Sequence, residues 1–209
     1  MTIQTYQDLQ ASVAQWLNRT DLAAVIPDFI TIAESRMAMV LRTRQMVKPV
    51  TLTQLAGTAS VALPTDWLEW DALYMSGNDE ALEYVTYRQW SDDLDTNNYS
   101  TNIATYTMDG SLLYTVGAIP TGQPTVTLNA TYYARMVPVA TASTSSDLWL
   151  LTSHPETYLY GALVSGWQYL LDEQRAAANG GLFDAAVQTL NAKNAKALHS
   201  GSMWRQRPR

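Results

Sequence analysis

The feature that most constrains the fold is a long apolar segment near the N-terminus, IPDFITIAESRMAMVLRTRQM, residues 26–46. Pro27 is typical of the first turn of a helix, where its missing N–H would have no partner in any case. Arg42 and Arg44 lie near the other end, where the helix dipole is negative. Because apolar residues cover more than half of its circumference, we predict a helix of about 20 residues, near 30 Å long, that packs against more than one partner.

Residue periodicity along the rest of the chain predicts helices at both ends and strands between them. Apolar residues recur at helical spacing near the two ends, whereas the middle alternates between polar and apolar side chains. We therefore expect an α+β fold in which residues 1–47 and 153–198 pack as a helical bundle core and residues 48–150 form a β-rich insertion. Residues 199–209 are expected to form an extended C-terminal tail, and the whole chain a single domain.

The second helical region contains signals for its start, its end and its packing. Ser153 and Glu156 fit a capping box at its start, and the glycines of Asn179-Gly180-Gly181 predict that it ends there. Gly161 and Gly166 would each cost a helix about 1 kcal/mol relative to alanine. Two explanations remain open for them, which are close contact with a helix of the same chain and close contact with a neighbouring subunit.

The composition excludes several classes of site. The chain contains no cysteine, so disulfide scaffolds and thiolate sites are excluded. The two histidines, His154 and His199, belong to no pattern typical of a catalytic triad, and no glycine-rich phosphate-binding motif is present. The acidic run SDDLDTNN lacks the glycine and final glutamate of a calcium-binding loop. We therefore predict no enzyme activity, no cofactor and no bound metal.

No association with a membrane is expected either. The longest strongly apolar uncharged run, residues 157–171, is shorter than the roughly 20 residues of a membrane span. The N-terminus does not combine a basic region with an apolar run, so we do not expect a secretory signal.

Charge is distributed unevenly along the chain, whose formal net charge is −6. Ten acidic residues lie between Asp66 and Asp109, where Arg88 is the only base. A protein that grips DNA would instead show a basic stripe. The basic cluster that does occur is the C-terminal MWRQRPR, residues 203–209.

Aromatic residues recur along the acidic segment, and they leave an alternative function open. These residues are Trp67, Trp70, Tyr84, Tyr87 and Trp90. Aromatic rings beside acids can bind sugars, and an acid pair such as Glu69 and Asp71 could cleave a glycoside. A half-buried core explains the same rings. The alternative is therefore a carbohydrate-binding or glycan-degrading component, and a third interpretation is a small enzyme with an unrecognised acid pair.

Three blocks of sequence resemble a known family. The first is YQDLQASVAQWLNRTDLAAVIPDFITIAESRMAMVLRTRQM, and LPTDWLEWDALYM and HPETYLYGALVSGWQYLLDE follow it in the expected order. Together these blocks resemble the head-to-tail adaptor proteins of tailed bacteriophages, with Trp67 standing where phenylalanine is expected.

The resemblance implies a structural virion protein, and in this context the alternative is a tail-associated carbohydrate-binding or glycan-degrading component. Adaptors of this kind form a homo-oligomeric ring of twelve copies below the portal protein of the capsid, and tail or stopper proteins attach beneath them. DNA passes through the ring without sequence-specific binding. The expected location is the virion neck, after assembly in the host cytoplasm.

The residues fit such a ring in two places. Arg36 lies among apolar residues, needs an acidic or carbonyl partner, and is predicted to pair at a subunit interface together with Met37, Arg42 and Arg44. The channel is predicted to be lined by acids that repel DNA phosphates, which are Asp92, Asp93 and Asp95.

The basic C-terminal tail is predicted to bind the portal and the tail proteins. A flexible segment with one tryptophan and several arginines can become ordered on binding, with the aromatic ring and the guanidinium groups supplying the energy. The predicted contact residues are Met203, Trp204, Arg205, Arg207 and Arg209.

Overall fold

The computed structural model describes residues 3–55, 57–77, 80–95, 105–115, 125–144 and 146–199, and it describes only the backbone of 93–95 and 196–199. The chain divides into two compact units. Unit 1 comprises residues 1–44 and 136–209, and unit 2 comprises residues 45–135.

The described residues form six α-helices, one short 3₁₀ turn and seven strands. The helices are α1 (Tyr6–Leu17), α2 (Ile26–Val40), α3 (Tyr87–Asp95), α4 (Trp149–Ser153), α5 (Pro155–Tyr169) and α6 (Glu173–His199). The strands are β1 (Val47–Gln54), β2 (Val61–Ala62), β3 (Trp67–Met75), β4 (Glu83–Tyr84), β5 (Thr105–Asp109), β6 (Leu112–Tyr114) and β7 (Val126–Ala134). The 3₁₀ turn, Arg44–Met46, leads from unit 1 into β1.

Helix α5 lies at the centre of unit 1. It packs against α1, α2, α4 and α6, and every residue from 157 to 167 except Tyr160 is buried. From residue 157 to residue 167, the apolar run 157–171 is therefore covered by its neighbours in unit 1, whereas Gln168, Tyr169 and Leu171 are exposed. Within the described ranges, no helix is both long enough and apolar enough to cross a membrane.

Helix α2 begins where Pro27 predicted, but it is shorter than expected. It spans 15 residues and stops at Val40, after which Leu41 has an extended backbone (φ −81°, ψ 128°). Leu41 and Thr43 are both buried. An extended segment turns alternate side chains to one side, so these two residues enter the core of unit 1 in a way that a continued helix would not permit.

The helix break near the C-terminus lies at Leu171, so the prediction of an end at residues 179–181 is wrong. The N–H of Asp172 donates to the carbonyl oxygen of Trp167 at 2.9 Å, which closes α5. Gly180 and Gly181 lie inside α6, where the amide of Asn179 donates to the carbonyl oxygen of Arg175 at 2.8 Å. The capping box predicted at Ser153 is also wrong, because that residue ends α4.

Unit 2 contains two sheets. In the first, β7 lies between β1 and β3, and both pairings are antiparallel. The second has the order β2-β6-β5-β4, with β4 parallel to β5. One core cluster includes residues from both sheets, among them Leu52, Leu73, Leu113 and Leu128. Helix α3 packs beside β5.

The predicted fold class, a helical bundle core with one β-rich insertion, is wrong. The chain is a β-rich α+β fold with two sheets, and its helices lie mostly at the C-terminal end, where α4, α5 and α6 follow one another. The N-terminal helices are short, at 12 and 15 residues. The strands have a hydrophobic core of their own, so they are not an excursion from a helical core. The single-domain prediction stays a prediction, and residues 200–209 of the predicted tail lie outside the described residues.

Candidate interaction surfaces

One surface of unit 1 exposes several large apolar side chains. Ile32, Arg36, Met39 and Val40 share the outer side of α2, because residues three, four and seven apart lie on one helix face. Arg36 Nη2 donates to Gln168 Oε1 at 3.3 Å, so Arg36 joins this face to the end of α5. The next residue of α5, Tyr169, has its ring 5.6 Å from that of the buried Phe29. We give the name α2–α5 patch to this face of α2 together with the exposed residues at the end of α5, and its members are Ile32, Arg36, Met39, Val40, Gln168, Tyr169 and Leu171.

Leu171 is the most exposed large apolar residue of this patch, with 88% of its surface accessible. Its φ of +59° is a left-handed conformation, which costs a residue with a Cβ roughly 1–2 kcal/mol. The Arg175 guanidinium stacks on the Trp167 ring at 4.6 Å and its Nε lies 3.3 Å from Asp172 Oδ2, so the flanking residues are held in place. The leucine is thus presented to solvent at a cost that its exposed position does not offset.

The four residues predicted for a subunit interface lie in different environments. Arg36 is half-buried in the patch, and the Gln168 amide supplies the carbonyl partner that it was expected to need. Met37 is fully buried in unit 1, and Met39, which is 71% exposed, faces outward instead. Met37 lies four residues after the buried Ala33, so the helical spacing places Met37 on the core side.

Arg42 and Arg44 follow α2 in the extended segment. The Arg42 Nη1 donates to the carbonyl oxygens of Leu41 at 2.7 Å and Ala38 at 3.1 Å. The guanidinium therefore helps to satisfy carbonyl groups at the end of α2, which have no helical partner. Arg44 is exposed.

The half-buried acid Glu34 was not singled out by the sequence reasoning. Its Oε1 accepts the Val139 N–H at 2.6 Å, and it shares a hydrogen bond with the Tyr158 hydroxyl. Burial raises the pKa of Glu34 above its usual value. Burial and the neighbouring carboxylate also raise the pKa of Tyr158. The sequence signal that could have identified Glu34 is an acid in the middle of an apolar helix. In the structure, Glu34 holds Val139, which lies where the chain returns to unit 1.

Asp66, the acid of the LPTD block, joins two strands of unit 2. Its Oδ2 lies 2.7 Å from Lys48 Nζ, and its Oδ1 accepts the Tyr132 hydroxyl at 2.8 Å. Burial acts to raise the pKa of Asp66, but the bonds from Lys48 and Tyr132 outweigh it and leave the pKa below its usual value. Burial, followed by the bond to Asp66, raises the pKa of Tyr132 to about 12. This acid therefore has a structural role.

Most of the aromatic residues of the acidic segment pack against one another. The ring of Trp70 lies 5.7 Å from that of Trp67, and the ring of Trp90 lies 5.4 Å from that of Tyr87. Tyr84 and Tyr87 are about half exposed. The packed rings agree with the half-buried core that was one explanation of the pattern.

The acids predicted for a channel or for catalysis are only partly described. Asp92 is exposed on α3, and Asp93 and Asp95 belong to the same helix, but their side chains lie outside the described residues. Asp71 Oδ2 accepts the Thr131 hydroxyl at 3.0 Å. Among the described residues, no group of three or more His, Cys, Asp or Glu side chains is placed to hold a metal ion. The predicted portal-binding residues, 203–209, are outside the described residues.

Comparison with known proteins decides the family. The family model of the SU10 adaptor protein matches residues 4–207, which is nearly the whole chain. The chain belongs to the SU10 adaptor protein family. None of the curated proteins matches it.

Membership of the SU10 adaptor family confirms the predicted resemblance to phage head-to-tail adaptors. All three blocks of sequence that carried the resemblance lie within the matched range. As an SU10 adaptor, the protein has a structural role in a bacteriophage virion. The family implies a place at the neck and interaction with other head or tail proteins.

Proposed function

We propose that copies of this SU10 adaptor form a closed ring below the portal, which joins the capsid to the tail and forms part of the DNA channel. The α2–α5 patch is the observation that carries the proposal. Monomeric proteins seldom gather exposed apolar residues in one place unless a partner covers them. The number of copies, twelve, rests on the resemblance to head-to-tail adaptors.

The patch suits a contact between neighbouring copies in a ring. A ring needs a heterologous interface, in which one surface of each copy meets a different surface of the next. Met39, Tyr169 and Leu171 are each more than half exposed, and burying their apolar area would contribute about 25 cal/mol per Å². Leu171 would act as an anchor, since its cost in the free chain is offset only when a partner covers it.

The predicted interface residues take specific roles in this proposal. Arg36 would keep its bond to Gln168 or exchange it for an acid of the neighbouring copy, and Met37 would support the patch from beneath. Arg42 and Arg44 would border the same interface where α2 ends. Charge-assisted hydrogen bonds of arginine are stronger than neutral ones, so such contacts would fix the register of neighbouring copies.

The C-terminal residues Met203, Trp204, Arg205, Arg207 and Arg209 would bind the portal, and the other end of the ring would receive tail or stopper proteins. Support comes from the sequence, which combines one aromatic anchor with three arginines. Helix α6 runs as far as His199, so the tail follows directly from a helix of unit 1.

The acidic residues of α3, Asp92, Asp93 and Asp95, would line part of the channel. Carboxylates repel phosphate groups, so DNA would pass without binding. The ring would assemble in the host cytoplasm, would need no cofactor and would have no enzyme activity.

Native mass spectrometry of the chain mixed with its portal protein tests this function. We expect a complex that contains twelve copies of the chain per portal ring. The Arg36→Ala variant should give fewer complete complexes, or complexes that dissociate at lower collision energy. Binding of single copies that do not contact one another would overturn the ring.

A further inference from the structure

Two asparagines of α6 hold the segment that leaves α2 as a neighbouring β-strand would. Asn191 donates from Nδ2 to the Val40 carbonyl oxygen at 2.9 Å and accepts the Arg42 N–H on Oδ1 at 3.2 Å. Asn194 donates to the Arg42 carbonyl oxygen at 3.2 Å and accepts the Arg44 N–H at 2.8 Å. Each side-chain amide thus takes the place of one peptide group.

The geometry of the two elements explains why this pairing works. The extended backbone at Leu41 lies between the end of α2 and the 3₁₀ turn. Along such a segment, peptide groups two residues apart, as at 40, 42 and 44, lie on one edge and repeat every 6.6 Å or so. Residues three apart on a helix, such as 191 and 194, have Cβ atoms about 5–6 Å apart. An asparagine supplies both a donor and an acceptor at this distance, whereas aspartate lacks the donor and alanine lacks both groups.

The end of α6 depends on the same bonds. Among the described side chains of this helix, Leu190 is the last that is buried, and residues 191–195 are half-buried or exposed. Helix ends open more readily than helix centres when little apolar surface holds them. The end of α6 and the segment 40–44 therefore stabilise each other, and opening of one releases the other.

We propose that Asn191 and Asn194 form a latch, through which the order of the C-terminal end of α6 controls the freedom of the segment that enters unit 2. Residues 44–46 form the 3₁₀ turn, which begins at Arg44, the last of the latched residues. A partner that binds residues 200–209 would order the end of α6 and, by the reciprocity of coupled equilibria, would order residues 40–44 as well. The identity of that partner rests on the proposed function, but the latch does not.

Hydrogen exchange in the isolated full-length chain tests the latch. In the Asn191→Ala/Asn194→Ala variant, we expect the amides of Arg42 and Arg44 to exchange about tenfold faster or more, because the variant loses all four hydrogen bonds of the latch and each of these two amides loses its acceptor. Asn179→Ala is the matched control, because its side-chain amide donates to the Arg175 carbonyl oxygen within α6. Amides of α5 should exchange as in the wild type, which excludes global unfolding.

A second variant tests the coupling without touching either asparagine. Ala195→Gly weakens the exposed end of α6, and it should speed exchange at Arg42 and Arg44, whereas Ala11→Gly on the exposed face of α1 should not. Wild-type exchange at these two amides in the double asparagine variant would overturn the latch. If the double asparagine variant speeds exchange at Arg42 and Arg44 but Ala195→Gly does not, the order of the end of α6 does not control the segment 40–44. Because the test uses the isolated chain, the latch and the portal contact can fail independently.

Discussion

Gly161 of α5 and Ala33 of α2 approach so closely that a Cβ atom built at position 161 would lie 2.9 Å from the Ala33 Cβ. The Phe183 ring of α6 would lie 3.1 Å from that added Cβ at position 161. All three residues belong to unit 1, so the first of the two explanations for this glycine, close contact within the same chain, is confirmed. The glycine lets α5 occupy the centre of the helical unit.

We predict that Gly161→Ala destabilises the protein. The added methyl group would overpack the contact, at a cost of about 1–3 kcal/mol, which exceeds the gain of about 1 kcal/mol in helix propensity. Gly166→Ala should cost less, because the atoms it meets, at 2.9 Å and 3.0 Å, are the terminal methyl carbons of Leu17, which can shift by side-chain rotation as a Cβ cannot. Unfolding in urea, followed by circular dichroism, measures these differences in free energy.

Gly181→Ala is the matched control for this series. It lies in α6 with nothing within 4 Å of a Cβ, so alanine there should stabilise the protein by up to about 1 kcal/mol. A Gly161→Ala variant as stable as Gly181→Ala would contradict the close packing of α5 on α2.

We predict that Leu171→Gly stabilises the isolated chain but weakens its assembly. Glycine adopts a φ of +59° without strain, so the free energy of unfolding should rise by about 1 kcal/mol. The same change removes the proposed anchor of the subunit interface. Calorimetry of the isolated chain and mass photometry of its mixture with portal measure the two effects.

Leu182→Ser provides the control for assembly, because Leu182 is also exposed but belongs to α6 outside the patch. It should leave the number of complete rings unchanged. If Leu171→Gly assembles as well as the wild type, Leu171 has no role at the interface.

We predict a pH-dependent effect of Glu34→Gln on stability. The pKa of Glu34 is raised in the folded state, so between the unfolded value and the folded value the native state holds more protons than the unfolded state. Stability of the wild type therefore falls as pH rises through that interval. The glutamine of the variant does not titrate and keeps an oxygen for the Val139 N–H, so the stability of the variant relative to wild type should rise with pH.

Urea unfolding of both proteins from pH 4 to pH 7 measures this difference. The opposite contribution of Asp66, whose lowered pKa favours the folded state as pH rises, is common to both proteins and cancels. A stability difference that is constant or falls with pH would show that Glu34 is not destabilised in its charged form.

The sequence predicted local features better than the arrangement of the elements. Pro27 marked the start of α2 because its effect is confined to its own turn. Strand alternation did not reveal which strands pair, since the register of Leu52 with Leu128 depends on contacts between distant residues. That is why the fold class was predicted incorrectly.

The helix break near the C-terminus shows how tertiary packing overrides a local signal. Gly180 and Gly181 predicted the end of a helix there, yet the helical region is interrupted at Leu171, where no glycine is present. Burial of Phe183, Val187 and Leu190 keeps α6 helical beyond the glycines. Because the break at Leu171 was not predicted, Leu171 was not identified from the sequence as an exposed residue of the α2–α5 patch, although Arg36 of that patch was.

We predict that a chain ending at Gly201 keeps its fold but loses portal binding. Residues 203–209 carry the proposed tryptophan anchor and three arginines, and α6 ends before them. Circular dichroism checks the fold, and surface plasmon resonance with immobilised portal measures the affinity. Unchanged affinity would refute the assignment of the tail.

Cryo-electron microscopy of the intact virion neck tests the central claim most directly. We predict a ring of twelve copies directly below the portal, in which Met39 and Leu171 of each copy are buried against the next copy. A map in which the α2–α5 patch faces solvent in every copy, or in which the copies do not surround the DNA channel, would contradict it.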